Sequence, residues 1–249
     1  MERSEYDKLS ALEEEMWWFH GLHANLLGAL GRTRQGAPHG LVLDAGCGTG
    51  GLLARLAGIL VGDCLVGDCP IGLDADAAAC RAARSKSAAP VCTGSADRLP
   101  FADGSIAAII GADLLSHRQV DDRLAVRDFH RCLAARGVLV VNVPAYRWLF
   151  SAHDRAVHNA RRYSRRRLVA LLSGAGFAGI RASYWNTVLF PLMVLRRVAA
   201  GPRAGSDLGA FPPAVERLFG AIMRGESSWL ARGRTLPFGG SILASAVKP

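Results

Sequence analysis

Leu41-Val42-Leu43-Asp44-Ala45-Gly46-Cys47-Gly48-Thr49-Gly50 is a short apolar run that reaches a carboxylate and then breaks into a turn with glycine at every second position. Leu41 to Leu43 read as a strand buried on both faces, the kind found inside a parallel sheet. Gly46, Gly48 and Gly50 carry no Cβ, so the turn can bring its own amides close to a ligand. A glycine-rich turn also serves as a plain chain reversal, so the segments downstream decide between the two readings.

Three of them repeat the pattern of an apolar stretch followed by an acid. Pro70-Ile71-Gly72-Leu73-Asp74 ends in a carboxylate placed to accept from ribose hydroxyls, as acids after the second strand do in dinucleotide folds. Gly94-Ser95-Ala96-Asp97 reads as the end of a further short strand, with Asp97 a candidate acceptor for an adenine amino group. Ser105 to Ala112 is another buried strand, ending in Asp113. The turn reads G-x-G-x-G rather than the G-x-G-x-x-G of nicotinamide-binding folds, which disfavours that alternative. Alternation of these strands with Ala-rich helical stretches predicts an α/β fold with a doubly wound, mostly parallel sheet.

Together these residues resemble class I S-adenosylmethionine-dependent methyltransferases. That resemblance implies a Rossmann-like, seven-stranded sheet whose last strand is antiparallel, and S-adenosylmethionine as cofactor. By the same likeness Asp44, Ala45, Gly46, Cys47, Gly48 and Gly50 hold the methionine part, Asp74 the ribose, and Ala96 and Asp97 the adenine. Asp113 is expected near the sulfonium. Ubiquinone-type O-methyltransferases carry E-x-x-E-H where this chain has Asp113-Leu114-Leu115-Ser116-His117. With serine in place of the second acid, one carboxylate and one imidazole make a poor hard-cation site, and no metal is predicted.

Strand five is Gly137 to Pro144, preceded by a helical segment around Phe129 to Leu133. Ligands in open α/β sheets bind beyond the carboxyl ends of strands, so the polar and aromatic stretch after Pro144 is the candidate acceptor site. His153, Asp154, His158 and His117 are the candidate catalytic residues, because a hydroxyl acceptor must lose a proton and histidine titrates near neutral pH. Trp18, Tyr146, Arg162 and Tyr163 are the candidate substrate-binding residues. This stretch also resembles a bacterial methyltransferase group of cell-envelope and lipid-linked pathways, with V-P-A, H-D and G-H-x-R-R-Y motifs. Glu15-Met16-Trp17-Trp18-Phe19 is similar to that group's H-W-W-F opening and Gly240 to Ala244 to its last strand, with Met16 replacing the histidine and His158-Asn159 replacing Gly-His.

One domain is expected over residues 1–249: a helical lid at 1–38, the cofactor-binding core at 39–186, a cap insertion at 187–236 with a Gly/Pro-rich loop from Gly201 to Pro213, and the last strand at 237–249. The six cysteines show no C-x-x-C pair and read as reduced thiols. A charged start, Met1 to Glu15, and the lack of an apolar run of roughly 18 residues suggest a cytoplasmic protein. The net charge of +9 draws much of its excess from Arg161, Arg162, Arg165, Arg166 and Arg167. Such a run suits a solvated helix face, a phosphorylated or lipid-linked substrate, an inner-membrane surface or nucleic acid. Only Tyr163 interleaves it and no nucleic-acid module is present, which weakens the last. The expected activity is methyl transfer to a small-molecule or lipid-linked acceptor, by in-line displacement at oxygen. The alternatives are an RNA methyltransferase and a non-catalytic cofactor-binding protein.

Overall fold

A computed structural model describes residues 12–62, 67–200 and 211–249. The charged start up to Ala11, Cys64, and the Gly/Pro-rich loop up to Ala210 therefore lie outside the described residues. The chain alternates strands and helices: α1 (Trp17–Thr33), β1 (Leu41–Ala45), α2 (Gly51–Gly62), β2 (Cys69–Asp74), α3 (Ala77–Ser87), β3 (Val91–Thr93), β4 (Ile106–Ala112), α4 (Asp122–Cys132) and β5 (Leu133–Pro144). There follow α5 (Ala152–Ala156), α6 (Arg165–Gly174), β6 (Ala178–Trp185), α7 (Phe190–Ala200), α8 (Pro213–Ala231) and β7 (Ser241–Val247).

The sheet order is β3-β2-β1-β4-β5-β7-β6. β1 to β5 are parallel, and β7 runs antiparallel between β5 and β6. This is the doubly wound sheet that the apolar runs predict. β3 is the exception in detail: it stops at Thr93, so Asp97 lies in a turn beyond the strand rather than at its end.

Both faces of the sheet are covered, which is why the central strands are apolar without alternation. Successive residues go to opposite layers: Leu43, Ile109 and Leu139 pack with Phe129 of α4 and Leu168 and Leu172 of α6. Val42, Ile110 and Val140 pack with Leu22, Leu26 and Leu30 of α1 and with Met223 and Leu230 of α8. α1 and α8 are bound to each other at close range. The Trp17 amide donates to Glu216 of α8 at 2.9 Å, an acid at a helix N-terminus, and a Cβ on Gly21 would stand 3.2 Å from the Met223 side chain. Helix starts elsewhere carry their own caps: Asp76 accepts from Ala78 and Ala79, and Asp121 from Arg123 and Leu124.

The register aligns the strand ends. Ala45 lies beside Leu73 and Gly111, Ala112 beside Asn142, and Ser241 beside both Pro144 and Trp185. Asp44, Asp74, Asp113, Pro144, Asn186 and the start of β7 thus share one edge.

Candidate functional site

A cavity of ≈ 660 Å³ opens at that edge, within the range of roughly 300–1,000 Å³ usual for small-molecule sites. Its floor is the glycine-rich turn. The Gly46 and Cys47 amides both donate to the Leu73 carbonyl, at 2.7 and 3.0 Å, which ties the turn to the end of β2. Asp74 completes the closure: one carboxylate oxygen accepts from Gly48 N at 3.0 Å and the other from Asp76 N at 2.9 Å. Burial raises the Asp74 pKa against those two hydrogen bonds.

Of the expected cofactor residues, Asp44, Gly46, Cys47, Gly48, Asp74, Ala96 and Asp113 line the cavity. Three do not. Ala45 is wholly buried in β1. Gly50 serves packing: at φ +90° a Cβ there would stand 2.6 Å from the Ala83 backbone, so glycine lets the turn approach α3. Asp97 turns its carboxylate to the Asp121 amide, both oxygens at 3.1 Å, holding the approach to α4 instead of facing the cavity. The neighbouring wall is formed by Gly94, Ser95, Gln119 and Val120, which the sequence did not single out.

Asp44 is 1% exposed, and its Oδ2 has no hydrogen-bond partner among the described residues. Burial, followed by the charges of Glu13 and Asp74, pushes its pKa up to about 8. Asp113 is held in the left-handed region at φ 55° at the cavity wall. The Trp185 indole N–H can only donate, so it fixes the Asn142 amide with oxygen toward Trp185 at 2.7 Å and nitrogen toward Asp113 Oδ1 at 2.8 Å. Burial raises the Asp113 pKa to about 7, against the Asn142 hydrogen bond and the Arg162 charge.

The acceptor stretch divides into wall and scaffold. His117, His153, His158, Arg162 and Trp18 line the cavity. His117 and His158 have ring centroids 5.9 Å apart, and burial lowers the His117 pKa to about 4. His158 has φ 59°, a conformation L side chains rarely adopt. Asp154, by contrast, is wholly buried: it caps α5 through Ser151 and pairs with Arg162 Nε at 2.9 Å. Burial works to raise its pKa, but the Arg162 charge and the hydrogen bonds prevail and hold it below the usual carboxylate range. It is placed as the buried partner of Arg162 and does not line the cavity.

Tyr163 is equally internal, its hydroxyl between the Leu115 carbonyl at 2.8 Å and the Asp122 carboxylate at 2.7 Å, and it does not line the cavity. Tyr146 stacks on Tyr184 at 5.3 Å and belongs to an aromatic cluster outside the cavity wall. Arg161 and Arg167 both face Asp122, and Arg167 lies over the Tyr163 ring, so part of the arginine run is spent on the fold. Among the described residues, no group of three or more His, Cys, Asp or Glu is placed to hold a metal.

Sequence reasoning missed Asn186 and His23 and placed Trp17 only within the lid; all three stand at the cavity wall, each with a buried polar atom lacking a partner among the described residues. Their signal is weak in a sequence, because the helix bearing His23 and Trp17 reads simply as apolar. Burial pushes the His23 pKa down to about 3, so this imidazole is neutral. The cap contributes Met193, Arg196, Arg197 and Phe211 to the wall, while α8 packs along α1 and not over the cavity.

Residues 42–137 match a family model described as a methyltransferase domain. Over that stretch, less than half of the chain, the sequence is similar to methyltransferase domains. Its fold recurs in a Thermotoga maritima S-adenosylmethionine-dependent methyltransferase, 18% identical, over 98% of this chain and 99% of that one, with a TM-score of 0.57. It recurs in the geranyl diphosphate C-methyltransferase of Streptomyces coelicolor, in complex with geranyl diphosphate and S-adenosyl-L-homocysteine, at 16% identity, 86% and 74% coverage and TM-score 0.56. It recurs also in phosphoethanolamine N-methyltransferase 2 of Haemonchus contortus, in complex with S-adenosyl-L-methionine, at 15% identity, 89% and 52% coverage and TM-score 0.56. A comparison with curated proteins returns no match. The donor set at this edge fits S-adenosylmethionine: the turn amides, the Asp74 carboxylate and the unpartnered Asp44 oxygen suit a ribose and a cationic amino-acid tail.

Removing Asp154 would leave Arg162, 4% exposed, as an uncompensated buried charge. Asp154→Ala is expected to cost about 3–5 kcal/mol in urea denaturation, and a loss under ~1 kcal/mol would show that Arg162 does not depend on it.

The raised values of Asp44 and Asp113 mean that the folded chain keeps protons that the unfolded chain has released above about pH 4. Stability therefore falls as pH rises through that window up to about pH 8, and Asp44→Asn is expected to flatten the fall, read as the urea midpoint at about pH 5 and about pH 8. An unchanged slope would remove Asp44 as its source.

Proposed function

We propose that this protein is an S-adenosylmethionine-dependent methyltransferase that transfers a methyl group to a hydroxyl of an anionic, lipid-linked acceptor taken from the surface of a bilayer, and that residues 1–249 act as one unit with a helical lid and a cap. When bound, the cofactor supplies a sulfonium-activated methyl group and a good leaving group. Asp44, Asp74 and the turn hold it, Asp113 presents negative charge toward the sulfonium end, and the walls exclude water so that the acceptor meets the methyl in line.

His158 takes the acceptor proton in this reading. The observation that carries it is the strained backbone that holds its ring at the cavity wall, since such strain persists mainly where the surroundings enforce a functional geometry. His153 shares the wall and orients the acceptor, while His117, with its lowered pKa, is the weaker base. Trp18, stacked on Trp185 at 6.0 Å, and Asn186 flank the acceptor.

The bilayer surface rests on charge and exposure together. Residues 145–200 contain ten arginines and one acid, and that acid is the buried Asp154. Trp148, Val188, Leu192 and Leu195 stand 63%, 61%, 50% and 64% exposed around the cap helix α7, whose Met193 and Arg196 line the cavity. Exposed apolar and aromatic groups set among arginines are what an anionic interface binds. Among the described residues no helix is long and apolar enough to cross a membrane. The same fold accommodates geranyl diphosphate in the Streptomyces coelicolor enzyme.

With S-adenosylmethionine labelled in its methyl group and phosphorylated polyprenol in vesicles, the label is expected to enter the lipid phase. His158→Ala should lower that turnover by about 10²-fold or more with cofactor affinity unchanged; full activity would dismiss it as the base, and label entering RNA instead would dismiss the lipid reading. The wild-type chain should co-sediment with phosphatidylglycerol vesicles and not phosphatidylcholine vesicles, releasing as salt rises. Leu192→Ser with Leu195→Ser should abolish co-sedimentation; retention, or a change in oligomeric state in its place, would reject the bilayer as occupant of this face.

A further inference from the structure

The methionine end of the cofactor site contains a carboxylate that none of the sequence motifs supplies. Glu13 lies just before α1, is 6% exposed and lines the cavity. It crosses to the glycine-rich turn, where Oε2 accepts from Thr49 Oγ1 at 2.7 Å and from Lys86 Nζ at 3.1 Å. Its carboxylate packs so closely on Gly51, the first residue of α2, that a Cβ there would fall 2.7 Å from it. Those two contacts leave Oε1 unused, and Glu13 shares the cavity with Asp44, whose Oδ2 has no hydrogen-bond partner among the described residues.

Two carboxylates lining one cavity repel one another unless a cation comes between them. That repulsion is visible as the second cause, after burial, of the raised Asp44 pKa. Lys86 answers part of the Glu13 charge at Oε2, and among the described residues Asp44 Oδ2 has no hydrogen-bond partner. A primary ammonium bears three donors and one positive charge, which matches this arrangement; an apolar or anionic group does not.

Building on the cofactor reading above, we propose that Glu13 is a cofactor-binding residue: with Asp44 it receives the α-ammonium of the methionine moiety of S-adenosylmethionine. The segment before α1 is then part of the cofactor site itself, and the Thr49 hydroxyl and Lys86 are positioning residues that seat the Glu13 carboxylate. Because α1 is tied by its N-terminus to Glu216 of α8, the same segment connects the methionine end to the cap.

The test uses two ligands that differ in the amino-acid tail: S-adenosylhomocysteine, which has the ammonium, and 5′-methylthioadenosine, which lacks it. Both are titrated by calorimetry into the full-length chain and into Glu13→Gln, an isostere that can still accept from Thr49 but is uncharged. A charge-assisted hydrogen bond of about 1.5–3 kcal/mol corresponds to a loss of about 10- to 100-fold in affinity. The proposal expects that loss for S-adenosylhomocysteine, with the 5′-methylthioadenosine affinity unchanged. Equal losses for both ligands would overturn it, assigning Glu13 to the folding of the turn, and so would no change for either. If the substitution lowers Tm, the ratio of the two affinities still decides, because an unfolded fraction lowers both alike. A wild-type chain that binds neither ligand would overturn the cofactor reading together with this one, whereas binding of both with an unaltered ratio in Glu13→Gln overturns this one alone.

Discussion

Everything at the reactive edge depends on how the turn after β1 is fastened to the end of β2. Two turn amides share the Leu73 carbonyl, and the Asp74 carboxylate takes a third. Backbone donors buried away from water must find acceptors, and here adjoining parallel strands provide them at one point. The fastening holds the turn in a single shape and sets Asp74 across from Asp44. It is also what makes burial of acids at this edge tolerable, since Asp74 is stabilised by amides even as desolvation works against its charge.

A second support runs sideways through the sheet. Trp185 at the end of β6, Asn142 in β5 and Asp113 after β4 form one chain of hydrogen bonds through a buried amide. An indole that can only donate decides which way the amide faces, so the orientation reaching Asp113 is set three strands away, beyond β5 and β7. Strain collects at the same edge: Asp113, Tyr146, His158 and Asn186 have positive φ, and three of these four line the cavity. Such conformations persist only where surrounding contacts hold them.

The sheet was legible in the sequence because two-sided burial leaves a plain trace, apolar runs such as Ile106 to Ala112 with a turn on either side. The acids Asp44, Asp74 and Asp113 were legible by place, since the residue after a parallel strand must emerge at the ligand-facing edge. What did not show was the direction of individual side chains. Asp97 sits in a turn, where one rotation sends its carboxylate to the α4 amide instead of the cavity. Asp154, Arg162 and Tyr163 look like site chemistry in one dimension, but all three satisfy buried partners, and only Arg162 also reaches the wall. Gly50 looked like ligand clearance and proved to be clearance for Ala83. Glu13 was hidden for the opposite reason: in a charged opening segment, nothing local distinguishes the one acid that is covered from its exposed neighbours.

The cavity is assembled from two kinds of sequence. The half around the turn, Asp74 and Ala96 is contained within residues 42–137, the stretch that matches the methyltransferase domain, whereas His153, His158, Asn186, Met193 and Arg196 come from segments after it. The sheet edge is the seam between them. Loops and helices beyond β5 can therefore be exchanged, lengthened or recharged by mutation without unfastening the turn, so that one wall of the cavity is free to drift in shape and charge while the other stays fixed.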